Sequence, residues 1–327
     1  MRILVTGATG YIGGLIVPRL LERGHSVRCL VRDRTRFAQA AAPPAPVGGE
    51  TAASTGEALP AALPGWANQV DLVEGDVLDI DSLAPALADI ETAYYLVHSM
   101  GGGSGPDFAQ RDRHAASNFV LVAREQGVGR IIYLGGLGDE KAELSEHLAS
   151  RQEVGRVLAA GGVPVTEFRA AVIVGAGSIS FRMVRYLTER LPAMITPKWV
   201  STRIQPIAED DVLRYLVEAL DQPESAGKVI EIGGADVVTY GDMITTYARL
   251  RGLRRALVPV PLLTPSLSSY WVALTTPIPS SVARPLIEGL KTEVVVRSPL
   301  ARELFSFEPM GYEEAIRRVM DKEPVLR

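Results

Sequence analysis

The sequence predicts an α/β fold, a doubly wound parallel sheet with a smaller C-terminal lobe. Three observations predict it. A short β-branched run, Arg2-Ile3-Leu4-Val5-Thr6, ends in glycines. A helical pattern opens directly after those glycines, and the same alternation of apolar runs with helical stretches continues to about residue 170.

Each element has its own signal. From Tyr11 to Arg23 the apolar residues Ile12, Leu15, Ile16, Leu20 and Leu21 recur at helical spacing, and Gly24 is a stop. Ser26–Val31 reads as a second strand. Val70–Glu74 is a third strand, with a short helix at Asp81–Leu87. Thr92–Val97 is a fourth strand, with a helix over 107–126. Arg130–Leu134 is a fifth, with a helix over 144–160, and Val163–Arg169 is a sixth. Strands and helices alternating at these lengths imply a parallel sheet covered on both faces. The stretch 37–68, rich in Ala, Pro and Gly, breaks the rhythm and is expected to be a flexible surface insertion over 38–68. Beyond residue 170 the pattern loosens. Helices are expected over 208–220, 240–251 and 311–320, with a strand at 228–232. The domain reading is a dinucleotide-type domain over 1–235 and a small substrate lobe over 236–327 that also receives 175–205.

Composition narrows the functional classes. Of 327 residues, 47% are hydrophobic and 22% charged, enough apolar material for a substantial interior. The net charge of −4 argues against binding nucleic acid by bulk electrostatics. The one cysteine, Cys29, sits in an apolar strand and excludes both an intramolecular disulfide and a cysteine metal cluster. A strand beginning at residue 2 leaves no room for a signal peptide, and no stretch of 18 apolar residues appears. A cytoplasmic monomer or homodimer with a small-molecule substrate is expected.

The chemistry begins at Gly7-Ala8-Thr9-Gly10-Tyr11-Ile12-Gly13, between the first strand and the first helix. The first glycine permits a tight turn, the second lets backbone approach a pyrophosphate, and the third lets the helix pack on the sheet. The helix amino terminus then turns free N–H groups and a positive dipole end towards phosphate. This is a Rossmann-type dinucleotide fingerprint. After the second strand an NAD-preferring site usually has Asp or Glu, whereas this chain has Arg32, with Arg34 and Arg36 behind it. Guanidinium groups pair with a 2′-phosphate that a carboxylate would repel, so NADP(H) is expected over NAD. Asp33 complicates this, because it can turn to the ribose instead. Asp76 either meets the adenine amino group or caps the next helix, with Val77 beside it. Val97, His98 and Ser99, at the end of the fourth strand, are expected to run beside the cofactor.

Together these residues resemble the short-chain dehydrogenase/reductase superfamily over about residues 1–235, in its extended and atypical branches. The stretches Tyr95-Leu96-Val97-His98-Ser99-Met100 and Gln205-Pro206-Ile207-Ala208 resemble the atypical group related to NmrA-like proteins. The resemblance implies a catalytic Ser or Thr after the fifth strand, a Tyr-x-x-x-Lys pair on the next helix and an Asn on the helix before. This chain departs at every one of them. Gly135 and Gly136 stand at the serine, His147 at the tyrosine, Arg151 at the lysine and Asp112 at the asparagine. His147 and Arg151 share a helical face. Imidazole can serve as acid or base near neutral pH, and Arg151 can donate to a ribose or an anionic substrate, with Asp112 orienting either. The alternative is that His147 and Arg151 are surface residues of a helix that has lost its catalytic duty. Tyr133 or His98 as proton source is a third option.

Phe181, Met183, Val184, Tyr186, Leu187, Pro192, Met194, Ile195 and Trp199 follow the sixth strand, where relatives form a substrate wall. Leu262–Leu274, with Tyr270 and Trp271, adds a second apolar stretch that also suits partial contact with a lipid surface. Arg169 meets either a substrate anion or an internal carboxylate. Two functions stand: an NADP(H)-dependent oxidoreductase, or redox-neutral epimerase, acting on a small apolar carbonyl compound, and a non-catalytic NADP(H) sensor.

Overall fold

A computed structural model describes residues 1–34, 37, 66–98, 107–139, 144–259 and 289–322. The first strand, β1 (Arg2–Thr6), is followed by helix α1 (Tyr11–Glu22) and strand β2 (Ser26–Val31). Next come β3 (Asp71–Glu74), a 3₁₀ turn at Ile80–Ser82 leading into α2 (Leu83–Leu87), and β4 (Thr92–Tyr95). Helix α3 (Asp107–Glu125), strand β5 (Arg130–Gly136), helix α4 (Glu146–Ala160) and strand β6 (Val165–Ala170) complete the alternation. A later strand, β11 (Val229–Ile232), joins the same sheet, whose order is β11-β6-β5-β4-β1-β2-β3. The pairs β1–β2, β2–β3, β1–β4 and β4–β5 are parallel. The order reverses between β1 and β4. In such sheets that reversal opens a crevice at the carboxyl ends of the strands.

The chain divides into two units, each assembled from separate stretches of the sequence. The first comprises Met1–Gly135, Gln152–Phe168 and Tyr215–Val229, and the second Gly136–Arg151, Arg169–Arg214 and Ile230–Arg327. In the first unit, Leu4, Leu83, Ala93, Phe119, Ile131 and Leu158 belong to one apolar cluster formed by the strands and the helices laid on them. Arg28 on β2 reaches Asp71 at 2.6 Å and the carbonyls of Pro85, Ala86 and Ala88, satisfying the orphan acceptors at the end of α2. The insertion expected over 38–68 is too wide at its far end. Trp66 opens a 3₁₀ turn (Trp66–Gln69), is buried, and meets Phe37 edge-on with ring centroids 5.6 Å apart. An aromatic pair of this kind repays its own burial, which composition alone does not reveal. Residues 38–65 lie outside the described residues. Strand β4 stops at Tyr95, two residues short of expectation.

In the second unit, β7 (Ile173–Val174) leads to α5 (Ile179–Arg190) and β8 (Ala193–Thr196), then to the short strands β9 (Arg203–Ile204) and β10 (Ile207–Ala208) and helix α6 (Glu209–Glu218). After β12 (Val238–Thr239) come α7 (Tyr240–Leu250), β13 (Ala256–Pro259), α8 (Leu300–Leu304) and α9 (Tyr312–Lys322). Helix α7 starts with a reciprocal capping box between Thr239 and Asp242, which satisfies two of its orphan donors. Gln205, from the Gln-Pro-Ile-Ala stretch, is buried. Its amide donates to the Gly234 carbonyl at 2.7 Å and accepts from Val296 N–H at 3.0 Å, pinning two loops.

Candidate functional site

The glycine turn is built by close approach. Thr6 Oγ1, fully buried, donates to the Tyr94 carbonyl and accepts from Leu96 N–H, both at 3.0 Å. This ties β1 to β4 where the strand order reverses. Gly7 follows at φ +70°, and a Cβ placed on it would lie 2.6 Å from the Leu96 oxygen. Only glycine meets both conditions. A Cβ on Gly13 would overlap the Gly7 carbonyl, 2.7 Å from its carbon. The turn closes with Gly10 N–H donating to the Gly7 oxygen at 2.8 Å. Gly10 is the N-cap of α1, no side chain caps the helix, and its first turn carries no acidic residue. Thr9 and Gly10 are exposed, while Tyr11 and Ile12 are half-buried. The result is a helix amino terminus suited to a diphosphate, with backbone rather than side chain facing it.

At the end of β2, Arg32 and Arg34 are exposed, and neither pairs with a carboxylate among the described residues. Asp33 is half-buried and already engaged, and its carbonyl accepts from Phe37 N–H at 3.2 Å. Arg36 lies outside the described residues. After β3, Asp76 Oδ1 accepts from Leu78 N–H at 3.0 Å, so the carboxylate braces its own turn instead of capping the next helix. Ser82 brackets the same turn, accepting from Asp76 N–H and donating to the Asp76 carbonyl. Asn118, buried on α3, donates to the carbonyls of Val77 and Leu78 at 3.2 Å each, which fixes the backbone at Val77. Val97 packs on the core edge, and His98 is exposed and engaged. Ser99 lies outside the described residues.

Around the aligned catalytic positions, β5 runs through both glycines. A Cβ on Gly135 would touch the Tyr133 ring at 3.1 Å and the Glu167 carboxylate at 3.3 Å. On Gly136 it would meet Leu148 Cδ2 at 2.8 Å and Arg151 Cδ at 3.6 Å. The start of α4 therefore lies over Gly136, and Leu148 fills the space a serine side chain would need. His147 and Arg151 are on α4 one turn apart, and both are half-buried. Burial first, and the Arg151 charge second, bring the His147 imidazole down to about 4. His147 is thereby held as a neutral imidazole at pH 7.

Tyr133 is also buried, its ring 6.1 Å from that of Tyr95. Burial drives the Tyr95 hydroxyl well above the usual phenol range, and the nearby Asp112 charge pushes the same way. Asp112, itself buried on α3, thus faces a Tyr95–Tyr133 pair. The sequence reading missed Thr6, Tyr95, Asn118 and Glu167 as site-forming residues. Thr6 and Tyr95 end apolar strands and read as core. Glu167 is a buried carboxylate against which a Cβ on Gly155 of α4 would collide, and nothing local marks it.

In the second unit the expected substrate wall is mostly interior. Phe181, Met183, Val184, Leu187 and Met194 belong to its core, whereas Ile195 is 53% exposed. Val172, Met183, Leu187, Trp199, Tyr240 and Leu290 line a cavity of about 20 Å³, enough for one water-sized group. Arg169 is buried with at least one polar partner. Leu262–Leu274 lies outside the described residues. Among the described residues no helix is long and apolar enough to cross a membrane, and no acid, histidine or cysteine cluster is arranged for a metal.

A sheet ordered 3-2-1-4-5-6 with a glycine turn at its reversal defines the class: a Rossmann-type α/β protein. The profile of the NmrA-like family matches residues 1–270, and the chain belongs to that family. It is 28% identical over 140 residues to a 3β-hydroxysteroid dehydrogenase/Δ5→4-isomerase of Mycobacterium tuberculosis, a match covering 40% of this chain and 30% of that protein. It is 26% identical over 269 residues to a divinyl chlorophyllide a 8-vinyl-reductase of Zea mays, covering 80% of this chain and 62% of that one. The chain thus spans less than two thirds of the length of both relatives. Its fold is similar to that of an NADPH-dependent quinone oxidoreductase of Escherichia coli solved with NADPH, at TM-score 0.71 and 18% identity, covering 97% of this chain and 99% of that one.

Proposed function

We propose that this protein is an NADP(H)-dependent oxidoreductase, or redox-neutral epimerase, acting on a small, fairly apolar carbonyl compound. The observation that carries the reading is the pair of exposed, carboxylate-free arginines, Arg32 and Arg34, just beyond a glycine cradle that a Cβ would close. Gly7, Gly10 and Gly13 would seat the diphosphate at the start of α1, with Thr9, Tyr11 and Ile12 around it. Arg32 and Arg34 would take the 2′-phosphate, and Asp76, Val77, Val97, His98 and Ser99 would border the nucleoside ends. Bound NADPH would supply hydride. The quinone oxidoreductase solved with NADPH supports this assignment.

His147 is the proton partner in this reading. Because its imidazole is neutral, it donates an N–H hydrogen bond to the substrate oxygen, and the proton that the reduced oxygen takes up comes from solvent, relayed through the ring. Arg151 gives a second, permanently charged donor. Asp112 with Tyr95 and Tyr133 forms a buried polar group that keeps the dinucleotide unit's helix α3 and strands in register. The expected rate profile is flat from pH 5 to 8. A profile with a midpoint near 6.5 would mean that His147 titrates as an ordinary histidine and is not held neutral.

Two observations favour the alternative of a non-catalytic NADP(H) sensor: Leu148 occupies the space at the serine position, and the histidine that replaces tyrosine is not poised near neutrality. The test is oxidation of NADPH against a panel of quinones, enones and aldehydes. Turnover that falls at least about 100-fold in His147→Phe, the scale of one general acid–base group, supports the enzyme. Tight NADPH binding with no turnover on any compound supports the sensor.

A further inference from the structure

The small cavity of the second unit carries hydrogen-bond donors that the protein itself leaves unsatisfied. It lies where α5, α7 and the 3₁₀ turn Lys198–Ser201 pack together, with Trp199 and Tyr240 in its wall. Each of these two side chains is placed by its own local structure. The Thr239–Asp242 capping box fixes the start of α7, so Tyr240, its first residue, turns into the core and is only 5% exposed. The turn that carries Trp199 is closed by Val200 N–H donating to the Pro197 carbonyl at 3.1 Å and Thr202 N–H donating to the Trp199 carbonyl at 3.0 Å. The two rings meet edge-on, their centroids 6.0 Å apart at 82°.

Neither polar end finds a partner among the described residues. Trp199 Nε1 is buried with no acceptor. Burial alone drives the Tyr240 hydroxyl above the usual phenol range, with no charge or hydrogen bond acting on it. Ser180, near the start of α5, adds a second hydroxyl to the same wall. Burying a donor unsatisfied is costly, so native structures seldom do it without a ligand or a water to receive it. The rest of the wall is hydrocarbon, and among the described residues none that lines the cavity is charged. That argues against a phosphate, a carboxylate or an ammonium as the occupant. A water brings two donors of its own to an indole that can only donate. A carbonyl oxygen brings acceptors only, so it can satisfy both rings and adds no orphan donor.

We propose that this cavity binds a neutral, apolar compound by a carbonyl oxygen, to which Trp199 Nε1–H and the Tyr240 hydroxyl donate. At about 20 Å³ it admits one small group. The carbonyl end enters, and the rest of the molecule lies along the half-buried edge formed by Val172, Ser180 and Trp199. The inference rests on the proposed function in taking this compound as the substrate, whereas the binding itself needs no nucleotide. Selectivity follows from the same chemistry. A compound of like shape without the oxygen leaves both donors unsatisfied and binds more weakly.

The experiment is a titration of the isotope-labelled full chain, without NADPH, with acetophenone and with ethylbenzene, which has the same skeleton and no oxygen. The readout is the indole N–H resonance of Trp199, assigned by its absence from Trp199→Phe. Acetophenone should move it saturably to lower field, and ethylbenzene should bind at least about 5-fold more weakly without that shift. Tyr240→Phe keeps the ring and should weaken acetophenone about 5-fold while leaving ethylbenzene unchanged. A Trp199 resonance that acetophenone leaves in place overturns the proposal. So does an equal response to both compounds, which would make the cavity a purely apolar contact, or a bound water at the indole that neither compound displaces. Failure here with NADPH binding intact strikes the cavity alone. Loss of NADPH binding with this response intact strikes the cofactor reading alone.

Discussion

Gly13→Ala should abolish nicotinamide-nucleotide binding and lower the melting temperature, whereas Gly10→Ala should cost binding with little loss of stability. The contrast follows from what each added methyl meets. At Gly13 it overlaps the Gly7 carbonyl, a backbone group fixed by its own bond to Gly10 N–H and by a positive φ. Nothing flexible can yield, so α1 must move off β1. Overpacking of this kind costs about 1–3 kcal/mol, and a helix displaced by even a fraction of its contact distance no longer aims its amino terminus at the diphosphate. A loss of at least about 100-fold in affinity is expected, equivalent to about 3 kcal/mol. At Gly10 the methyl lies 3.1 Å from the Gly7 oxygen on an extended backbone that any residue adopts, so the fold persists. The methyl then stands in the exposed space reserved for phosphate. Thermal melts and NADPH titrations of the two variants check both halves. Equal affinity for the two variants and the parent would remove the glycine cradle from the site.

The second large effect is a pH dependence of stability carried by His147. Its folded imidazole titrates at about 4, against 6.5 for an unperturbed histidine. Between those values the unfolded chain binds more protons than the folded one, so stability is complete above about pH 6.5 and falls as pH drops towards 4. The shift corresponds to a loss of up to about 3 kcal/mol at the low end, using 1.36 kcal/mol per unit. His147→Phe removes the titrating group and should flatten the denaturation midpoint over that window, while the parent declines. Parallel curves would mean that the imidazole is not held neutral by burial and Arg151.

What the sequence made legible was whatever is local. The glycine triplet, its flanking strand and helix, and the arginines after β2 are all contiguous, and the alternation of strand and helix patterns predicts a parallel sheet through residue 170. What stayed hidden depends on pairs far apart. Trp66 reads as the end of an Ala- and Pro-rich stretch, yet it is interior because Phe37 meets it. Tyr95 looks like ordinary strand core until Asp112 and Tyr133 are brought to it. The apolar run after β6 carries the same composition whether it lines a pocket or fills a core, and burial of Phe181 and Leu187 against exposure of Ile195 separates the two only in three dimensions. Gly136 reads as an absent serine, but the space beside it belongs to Leu148.

The central claim is a dinucleotide diphosphate on the first turn of α1 with guanidinium groups waiting for the 2′-phosphate. Parallel fluorescence titrations of NADPH and NADH test it most directly. The account predicts that NADPH binds at least about 10-fold more tightly, as expected for a charge-assisted contact worth about 1.5–3 kcal/mol, and that Arg32→Glu/Arg34→Glu erases the difference by weakening NADPH alone. Equal affinity for the two nucleotides, or no binding of either, would contradict it.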